Sequence, residues 1–140
     1  MIQKAERIIE AYQKVKPAGC GVIAMDGRAA AGKTTLAEEL AVTLGGAVVH
    51  MDDFFLPGEL RTPERLAAPG GNVHAERFVE EVLPYLRRGE AFRYRRFDCH
   101  RMDYNGWVEI PTVPGIIVEG AYSQHPRFGG YADLTVFCDI

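Results

Sequence analysis

Gly27-Arg28-Ala29-Ala30-Ala31-Gly32-Lys33-Thr34 reads G-x-x-x-x-G-K-[ST], with the apolar run Gly21-Val22-Ile23-Ala24-Met25 before it and the helix-forming run Thr35 to Leu44 after it. A strand on one side and a helix on the other is the context in which this pattern cradles phosphate groups. Gly27 lets the chain turn sharply out of a strand, and Gly32 brings backbone up to a ligand with no Cβ in the way. Successive N–H groups then line a concave anion site at a helix N-terminus. Lys33 reaches the β- and γ-phosphates, and the Thr34 hydroxyl is placed to ligate Mg²⁺. The candidate nucleotide contacts are Gly27, Arg28, Ala29, Ala30, Ala31, Gly32, Lys33, Thr34 and Thr35. The bland alternative is a glycine-rich turn with a surface lysine, and the flanking strand and helix argue against it.

Outward from that loop, short apolar runs alternate with helical patterns, which predicts an α/β fold: a mainly parallel sheet sandwiched by helices. The strand candidates are 21–26, 47–51, 115–119 and 134–139; the first, third and fourth are continuous apolar runs, as strands covered on both faces should be. Helices are predicted over 33–44 and about 75–88, with Pro84 bending or resetting the second in its last turn. An amphipathic helix opens the chain, its stripe formed by Ile2, Ala5, Ile8, Ile9, Tyr12 and Val15, and Pro17 with Gly19 ends it. Three prolines and three glycines in 57–72 predict a loop over the site. In 91–110, aromatic and basic residues alternate around Asn105-Gly106, a two-residue turn signal that predicts an inserted β-hairpin. A hairpin there suits substrate binding, although it could simply cover a sheet edge.

The chain has 140 residues, of which 47% are hydrophobic and 25% charged, and this suits one domain with a real core. A net charge of −3 argues against a general nucleic-acid binder. The local arginine cluster (87, 88, 93, 95, 96 and 101) reads either as a solvated face or as a site for an anion. Cys20, Cys99 and Cys138 are odd in number and widely spaced, favouring reduced thiols in a cytoplasmic protein. No apolar stretch approaches membrane-spanning length, and no signal-peptide core is visible. Self-association stays open.

Acidic residues decide what kind of phosphate-binding protein this is. Asp52 and Asp53 stand at the carboxyl end of the second strand, and Glu119 at the end of the third. In an open α/β sheet that end faces the ligand crevice. A carboxylate there can hold Mg²⁺, and another near the γ-phosphate can accept the proton of an attacking hydroxyl. Simple helix or turn capping is the competing role, and Asp53 is the weaker candidate of the adjacent pair.

The phosphate loop 27–34, Met51-Asp52-Asp53-Phe54-Phe55, Arg96-Phe97-Asp98-Cys99-His100 and Val118-Glu119-Gly120 occur in the order and spacing of the uridine kinase-like family of P-loop kinases, which the chain resembles over nearly its whole length after the first helix. The resemblance implies ATP and Mg²⁺ as cofactors and a small-molecule acceptor, with a nucleoside such as uridine or cytidine favoured. It implies Lys33 on the phosphates, Thr34, Asp52 and Glu119 around the metal, and Asp52 as the carboxylate that activates the acceptor hydroxyl. His100 matches a base-recognising histidine, and Asn72 and Glu76 lie where the family places residues near the sugar. Where the family usually carries a tyrosine-aspartate pair, this chain has Arg95-Arg96, which suggests a more acidic acceptor such as pantothenate or a phosphosugar. The family also continues into an arginine-rich lid and a further strand, so a single domain lacking both is expected of 1–140, with a nucleotide-binding module of little activity as the alternative. A GTPase reading has only Asp103-Tyr104-Asn105-Gly106 as a formal D-x-x-G, with no N-K-x-D motif beside it.

Overall fold

The computed structural model describes residues 2–15, 20–27, 32–86 and 88–138. Four parallel strands, β1 (Gly21–Gly27), β2 (Ala47–His50), β5 (Gly115–Glu119) and β6 (Leu134–Cys138), form a sheet in the order β2-β5-β1-β6. Side chains alternate across it, and each face closes its own core. Val22, Val49, Ile116 and Val118 enter one core; Ile23, Met25 and Ile117 enter the other. Helices α1 (Ile2–Val15) and α2 (Lys33–Leu44) cover the second face through Ile8, Tyr12, Leu36 and Leu40. The first face is covered by α4 (Ala75–Glu81) and by a hairpin of β3 (Phe92–Asp98) and β4 (Asp103–Ile110), whose Phe78 and Tyr94 reach Phe54 in the centre. All five residues of β5 are buried, as expected for a strand sandwiched between layers.

Four expectations need correction. β6 was expected to be covered on both faces, but it is the edge of the described sheet and alternates exposed and covered positions, leaving Phe137 64% exposed. Asn105-Gly106 is not the hairpin turn. The chain reverses at 99–102, where Asp98 Oδ1 accepts from the N–H groups of His100 (2.9 Å) and Arg101 (3.4 Å). The pairing steps from Arg95↔Trp107 to Phe97↔Tyr104, so Asn105 and Gly106 together oppose Arg96, and Gly106 takes φ +78°. The glycine freedom that suits a tight turn serves here as a β-bulge.

The third correction concerns 57–72, which contains 3₁₀ residues Gly58–Leu60 and a short helix α3 (Pro63–Ala67). Thr62 Oγ1 accepts from Arg65 N at 3.2 Å, and Pro63 occupies the first turn, where its missing N–H costs nothing. Fourth, the helix predicted over about 75–88 stops short, at Glu81; the reset expected at Pro84 is present, as Val82 departs from helical φ and Leu83–Tyr85 restarts as 3₁₀. Pro84 lacks an N–H, and its ring crowds the carbonyl four residues earlier. Cys20 and Cys138 are buried and Cys99 is exposed. Among the described residues no helix is long and apolar enough to cross a membrane.

Arg65 ties α3 to α4, donating to Glu76 at 2.9 and 2.7 Å and to Val73 O at 3.1 Å. That fork holds the Glu76 carboxyl down to about 2, from an ordinary value of 4.5. A depressed carboxyl contributes stability above the unfolded value and loses it as pH falls toward the folded one. Because Glu76 is 42% exposed, screening keeps the contribution modest. Melting curves of wild type and Glu76→Gln are therefore expected to differ most above pH 5 and to converge as pH approaches 2.

Candidate functional site

A cavity of about 330 Å³ opens at the carboxyl edge of the sheet, lined by Gly32, Lys33, Thr34, Thr35, Asp52, Glu119, Gly120 and Ala121. Three strands deliver these residues. β1 runs into the phosphate loop, β2 into the turn carrying Asp52, and β5 into Glu119. Gly27 closes β1 at φ +140°, where a Cβ would overlap the carbonyl of Cys138. Residues Arg28, Ala29, Ala30 and Ala31 lie outside the described residues. Gly32 enters α2 in a left-handed conformation, φ 79°. Lys33 is buried, and its ammonium donates to Gly27 O at 2.7 Å.

The strand-end carboxylates are distinguished by the turn that carries them. Met51–Phe54 is a 3₁₀ helix, which rotates successive side chains by about 120°. Asp52 consequently projects, exposed, onto the cavity wall. Asp53 turns back under the hairpin, where the Tyr94 hydroxyl donates to it at 2.9 Å and Arg96 Nε lies 3.7 Å away. Burial pushes the Asp53 carboxyl up, against the pull of Tyr94, His50 and Arg96. Burial likewise raises the Tyr94 phenol, reinforced by Asp53.

Glu119 is buried at the cavity's base, with Thr34 Oγ1 3.4 Å from Oε1. His50 Nδ1 meets the same oxygen at 2.5 Å. Donation of a hydrogen bond to Glu119 raises the His50 imidazole above its ordinary value despite partial burial. His50 was not a sequence candidate. β2 and β5 pair in register with His50 opposite Glu119, and strand order is not written in either segment. Gly120, quoted only as part of the Glu119 motif, and Ala121 follow Glu119 directly in the chain and line the cavity as well. Arg77, also missed, is buried beneath the turn and donates to Asp53 O (2.5 Å) and Arg95 O (2.6 Å), with its guanidinium 4.2 Å from the Phe54 ring centroid.

The other expected substrate residues are not on this cavity's wall. Arg95 donates to Glu81 at 3.2 and 2.9 Å, Glu76 is gripped by Arg65, Asn72 is exposed in the turn before α4, and His100 is exposed at the hairpin tip.

No protein-family model matches the chain. Solved structures do. One described as a possible uridine kinase from Bacillus stearothermophilus superposes with a TM-score of 0.82 at 21% identity, covering 99% of this chain and 80% of its own. A protein from Silicibacter sp. TM1040, provisionally named a fructose transport system kinase, gives 0.74 at 26% identity, with 97% and 74% covered. A D-glycerate 3-kinase from Cryptococcus neoformans var. grubii gives 0.61 at 18% identity, with 86% and 51% covered. The fold is thus that of a P-loop kinase. The resemblance read from the sequence motifs agrees with these neighbours at the level of the fold.

Tyr94→Phe is expected to lower stability by about 1–2 kcal/mol, because it removes the 2.9 Å donor from the largely covered Asp53 carboxylate. Asp53→Asn in that background should recover part of the loss in urea unfolding, since the uncharged side chain is cheaper to bury.

Proposed function

We propose that the protein transfers the γ-phosphoryl group of ATP to a hydroxyl of a small molecule. The observation that carries this reading is the cavity that sets Lys33 and Thr34 opposite the carboxylates of Asp52 and Glu119. A phosphate-binding loop alone would serve any nucleotide-dependent protein; an exposed strand-end carboxylate on the same wall supplies an acceptor for a proton.

The acceptor oxygen attacks the γ-phosphorus, the bond to the β–γ bridging oxygen breaks, and ADP leaves. Asp52 takes the proton of the attacking hydroxyl and aligns it. Lys33 and the loop amides offset charge on the phosphoryl oxygens. The oxygen donors of Thr34, Asp52 and Glu119 suit Mg²⁺, and His50 orients Glu119 from the side. Among the described residues no three His, Cys, Asp or Glu side chains converge as a metal cage, which suits an ion held by one or two carboxylates plus phosphate oxygens. Bound there, Mg²⁺ would neutralise phosphate charge.

The neighbours' names span a nucleoside, a sugar and a hydroxy acid, so the fold by itself leaves the acceptor class open. Uridine and cytidine remain the acceptors that the sequence resemblance nominates through His100.

Acceptor-dependent ADP release with Mg-ATP tests the reading across uridine, cytidine, other nucleosides, pantothenate and phosphosugars. Asp52→Asn is expected to leave ATP affinity within about twofold and to lower kcat by roughly 10²–10⁴. Lys33→Ala is expected to weaken both ATP binding and transfer, by about tenfold or more each. Equal loss of ATP binding in the two variants, by calorimetry, would contradict this division of roles.

A further inference from the structure

A second cavity, of about 320 Å³, lies beside the first. Gly120 and Ala121 line the phosphate-loop cavity, and the next residue, Tyr122, lines the second. Opposite it stands the loop between α3 and α4, from Ala68 to Gly71. Tyr122 holds φ +67°, a left-handed backbone that a bulky residue adopts only when its surroundings impose it. Its N–H donates to Asp26 Oδ1 at 3.1 Å, and its ring lies 3.2 Å from where Gly70 would carry a Cβ.

Two guanidinium groups face this cavity, and they differ in what they have left to give. Arg65 is committed to both oxygens of Glu76. Arg127 has only a 4.0 Å contact with that already occupied carboxylate and is half exposed. His125 Nδ1 accepts from Arg127 N at 3.1 Å, so Nε2 carries the hydrogen and donates to Pro69 O at 3.1 Å. The ring therefore pins the backbone of Arg127 to the facing loop without adding charge. Arg65 and Arg127 against Glu76 leave one net positive charge, beside apolar walls of Val73, Tyr122 and Phe128. Of the hairpin arginines, Arg95 is engaged by Glu81, Arg96 stands 3.7 Å from Asp53 and Arg93 lies over the Trp107 ring; none of them lines this cavity.

We propose that this cavity receives the acidic group of the phosphoryl acceptor. The acceptor is then a hydroxylated small molecule bearing one carboxylate or phosphate, held by Arg127, with its hydroxyl reaching past Ala121 toward Asp52. This rests on the transfer reading above and narrows its acceptor class from neutral nucleosides to acids.

The probes are ribose, ribonate, ribose 5-phosphate and uridine, titrated calorimetrically into the protein without nucleotide and then assayed for ADP release with Mg-ATP. At least one acid is expected to bind at least about tenfold tighter than ribose and uridine, and which one identifies the group as carboxylate or phosphate. Arg127→Gln should weaken it about tenfold and Arg127→Lys less, while Lys33→Ala leaves it unchanged. In turnover, Arg127→Gln should raise the acceptor KM about tenfold and leave the ATP KM unaltered. Binding of neither acid, or acid binding lost in Lys33→Ala and retained in Arg127→Gln, overturns the proposal, the latter because the anion then sits in the phosphate loop. ADP release with uridine alone keeps the transfer reading and overturns this one. Arg127-dependent acid binding with no acceptor-dependent ADP release from any probe overturns the assignment of the bound acid as the phosphoryl acceptor and leaves the transfer reading to the wider acceptor panel.

Discussion

β5 lies between β1 and β2, and every candidate group depends on that pairing. Because all three strands run parallel, their carboxyl ends fall on one edge, and Glu119 sits in register with Met25 on one side and His50 on the other. Glu119 is buried there because its neighbours on both sides are strands. Parallel strands covered on both faces are apolar along their length, so polar groups belong at their ends. In such sheets the ligand crevice therefore lies beyond the carboxyl edge.

A second layer of constraint holds the turn after β2. Arg77 is a charged side chain in the interior, and it is tolerable there because two carbonyls accept from it and Phe54 faces its guanidinium. Those carbonyls belong to Asp53 and Arg95, so a single side chain from α4 joins the Asp52 turn to the hairpin. Tyr94 repeats the link from β3 through Asp53. The hairpin is thereby coupled to the position of Asp52 without itself lining the phosphate-loop cavity, which locates its contribution in alignment as well as in cover.

Much of this was legible in local pattern. The phosphate loop, the strands that flank it and the strand-end carboxylates are each encoded within a few residues, by glycine at special φ, by apolar runs and by their limits. Failures occurred where one local signal has two structural uses. Asn105-Gly106 makes a tight turn or a bulge with the same left-handed glycine, and only cross-strand register selects between them. Pro63 is one of the prolines whose number in 57–72 predicts a loop, yet after Thr62 it starts a helix. Phe137 belongs to an apolar run that resembles a central strand, and edge position is a property of the whole sheet. Arg95, read as an anion ligand, is the partner of Glu81, fourteen residues away in the chain.

By itself the sequence determined an α/β scaffold with a G-x-x-x-x-G-K-T segment between its first strand and the following helix, because those features follow from short-range stereochemistry and from the apolar period of single strands; the preference for Asp52 over Asp53 as the activating carboxylate came with the family resemblance. Only the tertiary structure decided that His50 buttresses Glu119, that Arg77 locks the Asp52 turn, and that Arg127, not Arg95, keeps a guanidinium available to a ligand. Each of these is settled by which strand or loop lies next to which. A charged side chain's role follows from the partner that packing brings to it, and chain order leaves that partner unspecified.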